Sequence, residues 1–385
     1  MRQRTSLWRS RGMQALVGVT FLGFASYCLT LASLPVYAVT GGAAESTAGV
    51  VTAVFLVVTI AVQATVPAST ARFGVGPVLV AGLLAMGLPS PLYALDDGVA
   101  WISALSAVRG AGFAVLTVLG ATLSVQVAPP GRRGEAIGLY GLAIAVPNLV
   151  AVPGGVALVL DGSVAWVAWL AASPLLAAPL VPLLVRSVGP HAEPRRAGTD
   201  RDAALAALTP ALVLFAVTTA GGGLVTFLPI ERPAGALATV ALLLFGATGA
   251  VTRWRAGLLA DRFGTRLLLP VGVGAAAAGL ALVAVGLAAA DGWVLLGAAV
   301  FGAGFGAVQN LTLLASFTRA GGSGATAASA MWNAFFDAGT ATGALALGAV
   351  TAGVGLGWTY VLVAAVLTAL LPLARAAAGP WRRAG

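Results

Sequence analysis

Long apolar runs alternate with short polar connections along the whole chain. Twelve runs stand out, over residues 14–37, 47–68, 76–95, 100–126, 135–158, 163–185, 207–229, 234–252, 267–289, 292–317, 325–349 and 355–376. About 20 apolar residues in a helix cross the hydrocarbon core of a bilayer, so each run predicts one membrane-spanning helix. Glycine and proline recur inside the runs, and membrane helices tolerate both where neighbours rescue the freed backbone groups. The basic start, Met1–Arg11, followed by an apolar run has the outline of a secretory signal peptide. The run is too long for one and many like it follow, so an uncleaved first span is expected.

The polar positions between the runs are lopsided. With the N-terminus placed inside, every arginine except Arg109 and Arg232 falls in cytoplasmic connections or tails. The outer connections carry Glu45, Asp96, Asp97, Asp161, Glu231 and Asp291 instead. This bias predicts a multi-pass protein of the plasma membrane with both termini cytoplasmic. Trp101, Trp166, Trp169, Trp293 and Trp358 fall near outer ends of spans, where an interfacial aromatic belt would sit. The longest polar stretch, 187–206, divides the chain into an N-terminal six-helix bundle (1–186) and a C-terminal one (207–385). The halves echo each other at an offset near 190 residues. Ala71-Arg72-Phe73-Gly74 parallels Asp261-Arg262-Phe263-Gly264, and Leu34-Pro35-Val36 parallels Leu228-Pro229-Ile230.

Composition narrows the class further. Of 385 residues, 59% are hydrophobic and only 9% charged, with a mean hydropathy of +0.98. A soluble globular domain carries far more charge. The net charge of +9 would suggest nucleic acid in a soluble protein, but here the arginines read as topology signals and no nucleic-acid partner is expected. One cysteine, Cys28, excludes a disulfide framework, and one histidine, His191, excludes a His-based metal site or triad. Lysine is absent, so no phosphate-cradling G-x-x-x-x-G-K-[ST] loop exists. Neither a metal, a cofactor nor an enzyme activity is expected.

The stretch Gly257-Leu258-Leu259-Ala260-Asp261-Arg262-Phe263-Gly264-Thr265-Arg266 packs charges and glycines between two apolar runs. Gly257 suits a close helix approach, and Phe263-Gly264 suits a turn. Asp261 is expected near the start of the following helix, where the dipole favours an anion. Arg262 and Arg266 suit phosphate head groups or carbonyls at a membrane surface. In a soluble protein the same stretch would be a helix-turn-helix connection. The pattern resembles the signature G-x-L-a-D-r-x-G-r-r of the major facilitator superfamily. That resemblance implies an all-α integral membrane fold of twelve transmembrane helices in two pseudo-symmetric six-helix bundles, with Gly257, Asp261, Arg262, Gly264 and Arg266 forming a cytoplasmic gating motif. The first-half copy has Ala71 where the family's acid stands, which puts a symmetric gate in doubt.

Two charges remain at mid-depth, Arg109 in the fourth run and Asp337 in the eleventh. A charge at the bilayer centre costs about 2.5–3.5 kcal/mol on insertion scales, so each is expected to face a partner or a water-filled cavity. Arg109 either anchors an anionic substrate group, tunes a carboxylate, or ties helices together through fixed contacts. It resembles the arginine of the superfamily's antiport signature R-x-x-q-G, although the glycines here are Gly110 and Gly112. Asp337 is either a proton carrier or an inert partner of Asn333, one turn before it on the same helical face. The run from Trp332 through Asn333 and Asp337 to Gly339 resembles the eleventh helix of a bacterial efflux-permease branch of the superfamily, akin to drug:proton antiporters. In the superfamily, helices 1, 4, 7 and 10 line the central cavity. By that resemblance Tyr27, Arg109, Thr218 and Asn310, together with Asn333 and Asp337, are the candidate substrate-site residues, and Asp337 with Arg109 the candidate coupling pair. Pro147 and Pro153-Gly154-Gly155 mark a fifth helix suited to bending.

The function so implied is secondary active transport by alternating access, with proton-coupled efflux of a small organic molecule as the first expectation. The partners are then substrate, protons and the lipid bilayer, and the superfamily's default is a monomer. Uptake of an anionic metabolite by symport or uniport, and a transport-inactive membrane sensor of the same fold, stay open beside it.

Overall fold

The structure is a computed structural model, and it describes residues 7–43, 45–188, 199–232 and 236–379. The expected cytoplasmic termini and the core of the polar linker, with His191, lie outside these residues. Among the described residues the fold is helical, without strands. Twelve principal helices follow the chain. They are α1 (Arg11–Thr40), α2 (Glu45–Gln63, then Val66–Phe73), α3 (Val75–Leu95), α4 (Val99–Gln126), α5 (Arg133–Leu160) and α6 (Val164–Arg186). The second set is α7 (Thr199–Glu231), α8 (Leu237–Phe263), α9 (Thr265–Ala288), α10 (Asp291–Ala320), α11 (Ala325–Val354) and α12 (Leu356–Ala369, then Leu371–Ala377).

Nine of these are individually long and apolar enough to cross a membrane, among the described residues. The segments of α2 meet at a 54° bend and those of α12 at 44°, which brings the number to eleven if each pair is one span. The remaining helix, α11, has 30 residues but dilutes its apolar face with Asn333, Asp337, threonines and glycines. α5 stays helical through Pro147 and Pro153. The five belt tryptophans are 37% to 67% exposed, whereas Trp332 is buried, so the aromatic side chains sort between lipid-facing rim and packed interior.

The described residues form two compact units. One contains residues 7–129 and 143–188; the other contains 130–142 and everything from 199 onward. α5 is therefore divided: its first ten residues pack within the second unit, the rest within the first. In the first unit α2 and α3 both pack on α4; in the second α8 and α9 both pack on α10, and α7 packs on α11.

Small residues let these backbones meet. A Cβ on Gly110 of α4 would strike the Phe55 carbonyl of α2, and one on Gly302 of α10 would strike the Phe245 carbonyl of α8. Likewise Gly112 faces the Gly82 carbonyl of α3, and Gly304 faces the Gly272 carbonyl of α9. These pairs are separated by 190 residues on one side and 192 on the other. The internal repeat is thus built into the helix crossings as well as the loops. The loops match too. Gly74 and Gly264 have φ of 84° and 78°, each ending one helix and starting the next, and Arg72 and Arg262 each lie 5.1 Å over the adjoining phenylalanine ring. Only glycine adopts that backbone without strain, which is why Phe-Gly recurs at both positions.

Candidate functional site

Arg109 is completely buried in the first unit. Its Nε donates to the Met86 carbonyl at 3.1 Å. One terminal nitrogen donates to Thr30 Oγ1 (2.9 Å) and Tyr93 Oη (3.3 Å), the other to the Ser26 carbonyl (3.2 Å) and Ser26 Oγ (2.8 Å). Those five bonds use all five guanidinium donors. Its carbon also sits 5.3 Å over the Tyr93 ring. The acceptors are neutral and come from α1 and α3, so the cation is solvated by protein dipoles. Of the roles open to Arg109 in the sequence, the geometry is that of fixed contacts tying helices together. Gly110 and Gly112, which spoil the antiport signature, are the two crossing glycines that seat α4 on α2 and α3.

Beside Arg109 runs a narrow cavity of about 20 Å³, room for a water or two, lined also by Tyr27, Thr30, Phe55 and Ser106. Tyr27 is stacked on Phe113 (centroids 4.2 Å apart) and on Phe55 (5.4 Å), with Phe24 edge-on. Tyr27 therefore belongs to an aromatic wall.

The second unit holds a different arrangement. α8, α10 and the start of α5 cross where Gly134, Gly138 and Gly141 line one face of α5. A Cβ on Gly257 would collide with the Gly134 carbonyl, so Gly257 makes the close approach expected of it. Asp261 sits in the last turn of α8 and accepts from the Gly134 and Glu135 amides at 2.8 and 2.9 Å. The sequence led us to expect this carboxylate at the start of the following helix. It caps the start of α5 instead, on amides 127 and 126 residues earlier. The reason is that α8 ends at Gly264 with Asp261 on the side turned toward α5. Arg132 holds Glu135 beside this cap (2.7 Å), while Arg262 and Arg266 are exposed.

Two turns before Asp261, about 12 Å along the helix axis, lies a residue that looks in the sequence like a topology signal alone. Arg253 is 8% exposed. It donates to Gln309 Oε1 at 2.8 Å, its stem lies against Gly141, and its Nε has no partner. Asn310, fully buried, donates its amide nitrogen to the Arg253 carbonyl (2.9 Å) and to the Gly134 carbonyl (3.4 Å), leaving Oδ1 without a partner. Tyr140 is buried within electrostatic reach of both Arg253 and Asp337. One signal for Arg253 was present in the sequence: the 190-residue offset places it opposite Gln63. In the first unit Gln63 pairs with Thr117 across α2 and α4, as Arg253 pairs with Gln309 across α8 and α10.

Asp337 is half-buried at the middle of α11, twelve residues after its first residue, Ala325. Asn333 donates to the Ser329 carbonyl (2.9 Å) and hydroxyl (3.3 Å) on its own helix. Trp332 donates its indole N–H to Thr312 Oγ1 at 3.0 Å and stacks on Phe336. Thr218 is fully buried on α7, bonded to the Phe215 carbonyl, and packed against Gly339 of α11. The structure thus gathers Asn310 and Arg253 at one crossing, sets Asp337 near Tyr140, and puts Thr218 in the α7–α11 contact.

A family model described as Major Facilitator Superfamily matches residues 15–344. The chain belongs to the major facilitator superfamily. No curated protein matches it in sequence. Solved members of the superfamily share its fold. The human organic anion transporter MFSD10 superposes with a TM-score of 0.75 at 17% identity, over 94% of this chain and 99% of that one. The fucose:proton symporter FucP of E. coli gives 0.72 at 15%, over 95% and 98%. The proton:xylose symporter XylE gives 0.70 at 17%, over 94% of each. At such identities the likeness carries the superfamily fold alone.

Proposed function

We propose that the chain is a proton-coupled secondary transporter that exports a small organic molecule, its two six-helix bundles alternating access to a mid-membrane site. The observation that carries this reading is Asp337. Among the described residues it is the one carboxylate far from both ends of a membrane helix. A carboxylate at that depth is costly in its charged form, and taking up a proton removes the cost. Asp261 on the α5 amides fits a latch that makes and breaks at the cytoplasmic side, with Arg262 and Arg266 at the lipid or water surface. Arg109 in this scheme is a strut, since every donor it has is already engaged.

The test uses purified protein in liposomes with an imposed pH gradient and a pH-sensitive dye inside. Substrate-triggered proton movement that vanishes in Asp337→Asn supports the proposal. Proton movement that persists in the variant removes Asp337 from the role of carrier.

A further inference from the structure

Two buried arginines in one membrane protein are solvated in opposite ways. Arg109 has five donors and five acceptors; Arg253 has five donors and one acceptor. Among the described residues the Arg253 side chain bonds Gln309 and no carboxylate, and its Nε is left without a partner. Leaving a buried donor unsatisfied costs about 1–3 kcal/mol, and more for a charged group. A cation kept in that condition at the crossing of three helices is short of an anion.

Its surroundings define what the missing group looks like. Gly141 lets the Arg253 stem lie flat against α5, where any Cβ would displace it. Gln309 fixes one terminal nitrogen and so aims the rest of the fork. Asn310 spends its amide nitrogen on two backbone carbonyls, which locks the orientation of its side chain and leaves Oδ1 as a fixed acceptor without a partner. An arginine fork matches a carboxylate geometrically. A lone amide oxygen at the same helix crossing asks for a hydroxyl or amine hydrogen. We propose that Arg253 anchors the carboxylate of the transported molecule, with Asn310 accepting from a donor next to it, so that the cargo is a small hydroxy- or amino-substituted organic acid. This rests on the reading of the chain as a transporter and names its substrate class. It also divides the labour in the second unit: Arg253 takes the anion, Asp337 the proton, and Tyr140 stands within reach of both charges.

The experiment measures binding and flux separately on the full-length protein in nanodiscs and liposomes. The probes are lactate, mandelate and serine, each beside its amide, in which the carboxylate is gone. At least one acid is expected to bind, its amide at least tenfold more weakly. Arg253→Gln, which can keep a neutral hydrogen bond to Gln309, is expected to lower acid affinity at least tenfold and to leave the amide unchanged. Arg253→Lys keeps the charge but loses the fork, and is expected to fall between the two; it decides the matter if the glutamine variant does not fold. Acids and amides binding alike, acid binding that ignores both substitutions, or no acid binding at all would overturn the anchor. Flux of an amide as fast as its acid would overturn the anchor while leaving transport in place. Acid binding without flux would keep the anchor and overturn the transporter.

Discussion

At the scale of single residues, the chain sorts its interior charges by how they are solvated. Arg109 is held by neutral dipoles, so its worth is structural: Arg109→Gln is expected to cost roughly 2–4 kcal/mol, several charge-assisted bonds less the relief of desolvation. Thermal unfolding in detergent checks this, and an unshifted midpoint would contradict the strut. Gly141→Ala should displace the Arg253 stem and weaken acid binding with little loss of fold, because the added methyl meets a side chain rather than backbone. Asp261→Asn removes an anion from two amides at a helix start and should cost about 1 kcal/mol. Both mid-membrane charges were legible in the sequence because charge is rare in an apolar run. Arg253 was not, since it stands among Arg255, Arg262 and Arg266, and a cluster of arginines at a span's end reads as topology. What distinguishes it is burial, and burial depends on which way α8 turns toward α5 and α10, a matter of packing that apolar content does not encode.

At the scale of elements, the twelve runs are recovered as twelve principal helices, because lipid leaves the backbone no alternative but to satisfy itself within each segment. The bends in α2 and α12 and the continuity of α5 through two prolines were not legible, since they depend on neighbours. The crossings are where sequence and packing meet. Gly110 and Gly302 hold equivalent places in the two units, each against a phenylalanine carbonyl. Gly110→Val and Gly302→Val should therefore each cost about 1–3 kcal/mol through overpacking, and by similar amounts. A denaturation series on the two variants measures it; one tolerated and one not would mean the repeat does not extend to load at these crossings.

For the whole molecule, the superfamily follows from run count, loop motif and repeat together, none of which specifies cargo. Orientation can be read directly, since Cys28, the one native cysteine, is fully buried and gives a quiet background. With a membrane-impermeant maleimide on intact cells, Asp97→Cys should label and Arg266→Cys should label only after permeabilisation; the reverse pattern would invert the protein. The composition of α11 has a consequence for how the protein is made. A segment carrying an aspartate, an asparagine and many threonines and glycines has little free energy with which to leave the translocation channel unaided. It would enter the bilayer late, drawn in by α7 and α10 already in place, so the helix bearing Asp337 would also be the slowest step of biogenesis.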